Sequence, residues 1–438
     1  MAKKEDDRSP LEKKSFPIIL FTIFLDVLGV GILIPVLFPL IYTIFMPAGY
    51  SLHTAEIMLG FLLGIYPLMQ FISTPILGQL SDRYGRRPIL GFSLAGTAIG
   101  YALFAIAIIT KNIPLLFFAR ALDGITGGNL SVARAVIADI TPRKRLTQAF
   151  GMIGAMFGIG FVAGPYIGSR LAVPGVSFFG LFHTPHWFGS STPFWFTAIL
   201  STINTILLLA ILPETHQHIN NIAKIAWTQS LSNIKKAATA PGLRVIFTAE
   251  FLFWGGFTFF TTFFQGLLRE KLHFGTNNVG DFFAYIGIWI AISQAILVPF
   301  LAKRFKNFQI LRFSLIGMSV ALFAQLLAGN TTQLLFTAPL IAIFNGMTIA
   351  NTSSLVSMSA SKKTQGEVLG IDASVQALAQ AIPAIMAGYV ATFGIAKPVF
   401  VGGFVILAGG IIFNVFYKHS NNIGAAEQHA EAVAAGTH

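Results

Sequence analysis

Apolar runs of about twenty residues recur twelve times along this 438-residue chain, and no other feature restricts its fold so sharply. A bilayer core about 30 Å thick asks for about 20 mostly apolar residues per helix. By that measure spans lie near 18–42, 57–80, 89–110, 115–140, 150–171 and 194–212, then near 243–268, 279–302, 309–328, 334–359, 367–393 and 399–417. Inside lipid every backbone polar group must find a partner in its own segment, so runs of this length are helices. Composition agrees, with 54% hydrophobic residues, 11% charged and a mean hydropathy of +0.72; a soluble domain carries about a quarter charged residues. The expected fold is an all-α integral membrane protein of twelve transmembrane helices.

The net charge of +12 does not mark a nucleic-acid protein, because the lysines and arginines sit in short clusters between apolar runs. Lys3, Lys4, Arg83, Arg86, Arg87, Arg143, Lys144, Arg145, Lys235, Lys236, Lys303, Arg304, Lys362 and Lys363 fall on one side of a twelve-span topology. Little beyond Lys111, Arg170, Arg269, Lys271 and Lys397 falls on the other. The positive-inside rule then puts both termini in the cytoplasm, with the chain in the cell's inner membrane. There is no cysteine, which excludes disulfides, thiolate metal sites and cysteine nucleophiles.

The charged start MAKKEDDRSPLEKKSF precedes an apolar run too long for a signal-peptide core and without an A-x-A site, so it reads as a retained first helix. A polar stretch, PETHQHINNIAKIAWTQSLSNIKKAATAP, divides the spans six and six. Ile219, Ile222, Ile225, Trp227, Leu231 and Ile234 within it suit either an interfacial helix or a flexible connector. The expected units are a cytoplasmic start (1–17), a first six-helix bundle (18–212), a cytoplasmic linker (213–242), a second bundle (243–417) and a polar tail (418–438).

The two blocks repeat each other. Shifted by 221 positions, LSDRYGRRPILGFSLAG (80–96) falls on LAKRFKNFQILRFSLIG (301–317) and keeps Leu80, Arg83, Ile89, Leu90, Phe92, Ser93, Leu94 and Gly96. Shifted by 222, DGITGGNLS (123–131) falls on NGMTIANTS (345–353) and keeps Gly124, Thr126, Asn129 and Ser131. Two parallel six-helix halves around an axis along the membrane normal are a transporter's architecture, with the site between them near the midplane. The bundles are therefore expected to be pseudo-symmetric.

GQLSDRYGRRPIL (78–90) concentrates charge and glycine between the second and third spans. It resembles the loop between helices two and three of the major facilitator superfamily, with Gly78, Asp82, Arg83, Gly85, Arg86 and Arg87 on its characteristic positions. GFVAGPYIGS (160–169) is similar to the glycine-proline signature of that superfamily's drug/proton antiporters, carrying Gly160, Gly164, Pro165 and Gly168, with Ser169 departing from the usual final glycine. Arg120 and Gly124 match its helix-four motif, where Asp123 replaces a common glutamine. With LDVLGVGILIPVLFPL and VIADIT, the chain looks most like bacterial tetracycline/proton exporters. The resemblance implies proton-coupled export of a small amphipathic molecule by alternating access. It also implies a conformational latch around Arg86, for which Asp139 is the expected partner. The second copy of the loop keeps Lys303, Arg304 and Lys306 but has lost the acid and both glycines.

An ionisable residue near a helix centre costs about 2.5 to 3.5 kcal/mol on insertion scales and so marks function. Asp26 and Asp123 lie about 12 Å from their helix starts and Glu250 about 10 Å, with Asp372 somewhat shallower. Asp26 has no local cation to hold it as an anion and is the leading proton carrier. Glu250 follows it. Arg120 and Asp123, three apart, share a face, where they form either a structural ion pair or a proton-sensitive switch. Asp372, near a helix start, reads as structural.

For substrate, helix seven offers Phe251, Trp254, Phe257, Phe260 and Gln265, a set suited to flat amphipathic molecules. Arg120, Asn129, Asn345 and Asn351 join the candidate pocket, with Gln70 and Gln376 behind them. Glycines 154, 158, 160, 164 and 168 make a smooth helix face for a neighbour, and Pro165 withdraws a backbone hydrogen bond. His183 and His186 lack a third ligand, so no metal is expected; Gly29 and Gly31 lack the strand-to-helix setting of a nucleotide loop. The chain is expected to be no enzyme, to need no cofactor and to work as a monomer with protons and a small molecule as partners. An endogenous metabolite or an anionic siderophore, even an imported one, stays open as the cargo.

Overall fold

A computed structural model describes residues 10–178, 180, 182–215, 226–239, 243–359 and 365–417. The tail 418–438, most of the cytoplasmic start, Ile219, Ile222 and Ile225 of the linker, and Lys362 and Lys363 lie outside the described residues. The elements are α1 (Pro10–Leu37), α2 (Leu52–Tyr84), α3 (Arg86–Thr110), α4 (Ile113–Thr126), α5 (Asn129–Ile140), α6 (Arg143–Leu171), a two-stranded ribbon of β1 (Ser177–Phe178) and β2 (Phe182–His183), α7 (Thr192–Ile211) and α8 (Gln229–Thr239). There follow α9 (Arg244–Leu272), α10 (Thr276–Ile292), α11 (Val298–Ala302), α12 (Asn307–Leu327), α13 (Thr331–Met358), α14 (Gln365–Ala391) and α15 (Lys397–Phe416). A π turn, Ser293–Leu297, joins α10 to α11.

Among the described residues eleven helices are long and apolar enough to cross a membrane. The expected fourth span differs because it is two helices, α4 and α5, end to end across Gly127 and Gly128. The cause is close packing on α2. A β-carbon at Gly124 would meet the Tyr66 carbonyl oxygen at 2.5 Å, and one at Gly128 would meet Leu77 Cδ1 at 2.6 Å. The carbonyls at the break are satisfied from α2: Ser73 Oγ donates to Gly124 O at 3.0 Å and Gln70 Nε2 to Gly127 O at 2.8 Å. Broken helices survive at membrane depth only when neighbours supply such partners. Gln70, expected near the pocket, is occupied by this helix break.

Within the first six spans α1 packs on α6, α2 on α4 and α3 on α7; within the second, α9 packs on α15 and α12 on α13 and α15. The two bundles meet along two seams, α2 with α14 and α6 with α10. At the end that carries Tyr50 these seams are tight. A β-carbon at Gly60 would lie 2.9 Å from Gly388 Cα, and one at Gly64 2.8 Å from Ala381 O. Arg170 Nη2 bonds Asp281 Oδ1 across the seam at 2.7 Å, and the Phe38 ring meets Phe263 edge-on at 6.4 Å. Toward the end that carries Arg86 the seam opens. A β-carbon at Gly287 would touch Val162 at 2.8 Å; at Gly158 it would meet Ala291 at 3.7 Å, at Gly154 Gln294 at 3.9 Å, and at Gly78 nothing within 4 Å. The bundles are closed at the Tyr50 end and splayed at the Arg86 end.

The linker helix α8 sits at that splayed end and bridges the bundles. Ala226 N donates to Gln79 Oε1 (2.7 Å) and Ser230 Oγ to Phe71 O (2.6 Å) on α2. Asn233 Nδ2 donates to Gly370 O (3.2 Å) and Ser374 Oγ (3.0 Å) on α14. Its side toward the bundles is small and polar: Ser230, Asn233 and Ala237 are buried, while Trp227 and Leu231 are 70% and 65% exposed. Small polar side chains win the inner face because they reach backbone carbonyls that an isoleucine or tryptophan would leave unpaired.

Candidate functional site

In the first bundle, charged and polar groups from five helices converge. Asp26 on α1 is half-buried, and its Oδ1 accepts from Asn129 Nδ2 of α5 at 2.7 Å. Its other oxygen, Oδ2, is buried with no donor. Asn129 opens α5 immediately after the glycine break, so the break aims its amide at α1. Across the break, six residues before Asn129, Asp123 Oδ2 holds Arg120 Nη1 at 3.1 Å, both side chains under a tenth exposed. The Arg120 guanidinium lies 4.6 Å from the centre of the Tyr66 ring on α2, a cation–π contact in a desolvated place. Leu33, Gly100, Tyr101, Phe104, Ala119 and Phe194 close around the pair and leave no room for a water molecule. Tyr66 and Tyr101 were not legible as site residues; only their distance from the helix ends sets them apart from ordinary interfacial tyrosines.

The antiporter-like glycines act one helix away. A β-carbon at Gly160 would reach Val27 Cβ at 2.9 Å, at Gly164 it would reach Gly31 Cα at 2.7 Å, and at Gly168 Ile32 Cα at 2.8 Å. Pro165 Cδ is 3.0 Å from the place of a β-carbon on Gly31. These residues seat α1, with Asp26 beside Val27 at the start of the seam. The single smooth face expected from five glycines is two faces: Gly158 turns to Ala291 of α10 and Gly154 to Gln294 of the π turn instead. Gly158 and Gly160 are two residues apart, about 200° around the helix, so the rows 154–158 and 160–168 lie on opposite sides.

In the second bundle Glu250 of α9 and Asp372 of α14 are buried together, joined by Gln376. Trp254 and Phe257, half-buried on α9, continue a ladder of rings, Phe253 stacking on Phe257 at 6.2 Å and Phe257 tilting toward Phe260 at 5.9 Å. Gln265 and Asn345 are buried, the latter with no partner for its Nδ2. Asn351 turns its amide to the Met347 carbonyl of its own helix at 2.7 Å. His183 lies in β2, paired with Ser177.

At the Arg86 end the charged loop is a tight turn. Arg86 bonds Asp82 (2.5 Å), Asp139 (3.1 Å) and Ser81 Oγ (2.6 Å), and Arg87 donates to the Leu209 carbonyl. Arg83 lies over the Tyr84 ring at 5.2 Å. Sequence reasoning missed Glu214, whose carboxylate accepts from the backbone N–H groups of Arg86 (2.9 Å) and Arg87 (3.2 Å) and so caps α3 from 127 residues away. All these partners belong to the first six spans and the residues just after them. Gly85 is required twice over: its φ is +99°, and Glu214 occupies the space a β-carbon would take. Gly85→Ala is expected to destabilise the protein by about 1–3 kcal/mol, read as a lower melting temperature in detergent, whereas Gly78→Ala, with open space around it, leaves melting unchanged.

Known proteins resemble this chain in both sequence and fold. The chain is 28% identical over 411 residues to the tetracycline resistance protein, class H, of Pasteurella multocida, covering 91% of this chain and 94% of that one. It is 30% identical over 358 residues to the class E protein of Escherichia coli, covering 80% and 82%. The solved human organic anion transporter MFSD10 (TETRAN) superposes with a TM-score of 0.70 at 20% identity, over 92% of this chain and all of that one. The two bundles with polar groups buried in each are those of a multi-pass membrane transporter, and the match to the family description over residues 19–384 gives the lineage: the chain belongs to the Major Facilitator Superfamily.

Proposed function

We propose that this protein exports a small amphipathic molecule, a drug among them, in exchange for protons. The observation that carries the reading is the Asp26 carboxylate, held on one oxygen by Asn129 and bare on the other, beside a buried ion pair. A carboxylate with one free oxygen at membrane depth is a place for a proton, and it stays there at a cost of several kcal/mol only if it works. Asp26 is the proton carrier, with Asp123 and Glu250 assisting. Arg120, Asn129, Trp254, Phe257, Gln265, Asn345 and Asn351 contribute to substrate binding. The tetracycline resistance relatives support a drug as cargo.

Transport proceeds by alternating access, with bundles 18–212 and 243–417 rocking about the seams and 213–242 tying them. The Arg86 end, where the lysines and arginines concentrate, faces the cytoplasm with both termini, in the inner membrane. The arrangement described is then open to the cytoplasm; the Asp82–Arg86–Asp139 cluster, bonded here wholly within the first bundle, latches the outward-facing arrangement by gaining a contact from the second bundle when the Arg86 end closes. One protomer suffices. Each 100 mV of membrane potential adds about 2.3 kcal/mol per charge moved, so a potential and a pH gradient together drive export.

The test is transport by the purified protein in proteoliposomes. With an acid interior, tetracycline or another flat aromatic drug accumulates faster than in protein-free vesicles, and collapsing the pH gradient stops it. If neither drugs nor small carboxylates move with the gradient in either direction, proton-driven exchange is wrong.

A further inference from the structure

The seam between α2 and α14 has a register that can be followed down its length. At the closed end Gly60 of α2 stands against Gly388 of α14, and Gly64 against Ala381. The helices run in opposite directions, so residue numbers rise on α2 as they fall on α14. Seven residues on from Gly64 is Phe71, and seven back from Ala381 is Ser374. Seven residues make about two turns, so these two lie on the faces that meet at the closed end. Here both are bonded to α8: Ser230 Oγ donates to the Phe71 carbonyl at 2.6 Å, and Asn233 Nδ2 donates to Ser374 Oγ at 3.0 Å. Further along the same faces the helices have parted. A β-carbon at Gly370 would meet Asn233 Nδ2 of α8 at 3.9 Å and no atom of α2 within 4 Å, and one at Gly78 would meet nothing.

The sequence prepares this docking. Pro75 lies inside α2 and has no N–H to give the carbonyl four residues before it, so the Phe71 oxygen lacks its helix donor. Ser230 supplies one. Gln79, one turn further, holds the Pro75 carbonyl with Nε2 at 3.1 Å and accepts from Ala226 N with Oε1 at 2.7 Å. Ser230 and Asn233, three apart, share one side of α8, and both are buried. Opposite them Gly370 keeps α14 free of a side chain where Asn233 reaches its carbonyl at 3.2 Å.

We infer that α8 is a wedge that holds the Arg86 end open and must withdraw from between α2 and α14 before that end can close. Helices packed as closely as Gly60 on Gly388 leave no space for a third, about 10 Å across with its side chains. A closed seam at Phe71 and Ser374 and a docked α8 therefore exclude each other. The contact is made by small polar side chains, whose hydrogen bonds water replaces at little net cost when the helix moves out. An apolar inner face would have to be stripped into water at every cycle. The linker thus takes part in the switch between facing states and is more than a tether. This step rests on the alternating-access reading above, but the distances that test it do not depend on transport.

Because the chain lacks cysteine, a pair of spin labels can be placed at Ala138→Cys on α5 and Leu369→Cys on α14, both exposed and in different bundles. The parent should show mainly the longer of two separations. Ser230→Ala with Asn233→Ala should raise the ratio of the shorter to the longer by about tenfold, while Ser232→Ala, on the exposed side of α8, should leave it at the parental value. In unlabelled protein, Asn233→Cys with Ser374→Cys should form a disulfide that keeps α8 docked; gradient-driven accumulation should then fall to the level of protein-free vesicles and return on reduction. An unchanged ratio in the double alanine variant, or parental transport with the disulfide formed, overturns the inference. A ratio that shifts as expected in a protein that no gradient drives would leave the wedge standing and sink the export reading; gradient-driven transport with an unmoved ratio would do the reverse.

Discussion

Gly164→Val is expected to remove most of the folded protein from the membrane. At this position a β-carbon would stand 2.7 Å from Gly31 Cα and 2.8 Å from the Leu28 carbonyl oxygen. Both obstacles are backbone, so no side-chain rotation relieves the clash, and α1 and α6 must move apart. The damage spreads along the helix pair. Gly160 against Val27 and Gly168 against Ile32 lie on the same seam and open with it. In lipid no hydrophobic drive exists to re-press two helices together; close packing itself holds them. Overpacking alone costs about 1–3 kcal/mol, and opening the rest of the seam adds to it, against a total stability of about 5–15 kcal/mol. The check is accumulation of a fluorescent fusion in membranes together with melting in detergent. Gly158→Ala is the control, since its β-carbon would meet Ala291 at an ordinary 3.7 Å. Parental melting in Gly164→Val would show that the seam tolerates separation and that the glycines serve something other than packing.

That seam also marks how far the sequence could be read. Run lengths near twenty residues gave the spanning helices, because the bilayer leaves the backbone no alternative. They did not reveal the break at Gly127–Gly128, since glycine inside a membrane helix is common and only the approach of α2, with Ser73 and Gln70 in reach, makes it unwind. Asp26, Asp123 and Glu250 stood out because a carboxylate in an apolar run is costly wherever it points. Their partners did not. Asn129 sits 103 residues from Asp26, and Gln376, which joins Glu250 to Asp372, sits 126 residues from Glu250. Glu214 is a further case: an acid among linker residues reads as solvated until the turn at Gly85 brings the α3 amides to it.

The proton-driven reading stands most exposed at Asp26, where Asp26→Asn is expected to abolish gradient-driven accumulation, lowering it to the level of protein-free vesicles. The substitution is close to isosteric, and the asparagine carbonyl still accepts from Asn129, so the α1–α5 contact and the α1–α6 seam survive. What disappears is the oxygen that has no donor: an amide nitrogen takes its place and can neither bind nor release a proton between pH 5 and 9. Exchange of labelled for unlabelled substrate across the membrane, which needs no net proton movement, should therefore continue, and binding should weaken little. This split separates a missing coupling group from a damaged fold, in which both activities would fall together. Asp26→Glu keeps the titrating group on a longer arm and should retain part of the gradient response, whereas Asn129→Ala, which strips the second carboxylate oxygen of its donor, should disturb coupling with Asp26 itself intact. Gradient-driven accumulation unchanged in Asp26→Asn would take the role from Asp26 and transfer it to the remaining buried carboxyls, Asp123 beside Arg120 and the Glu250–Asp372 pair.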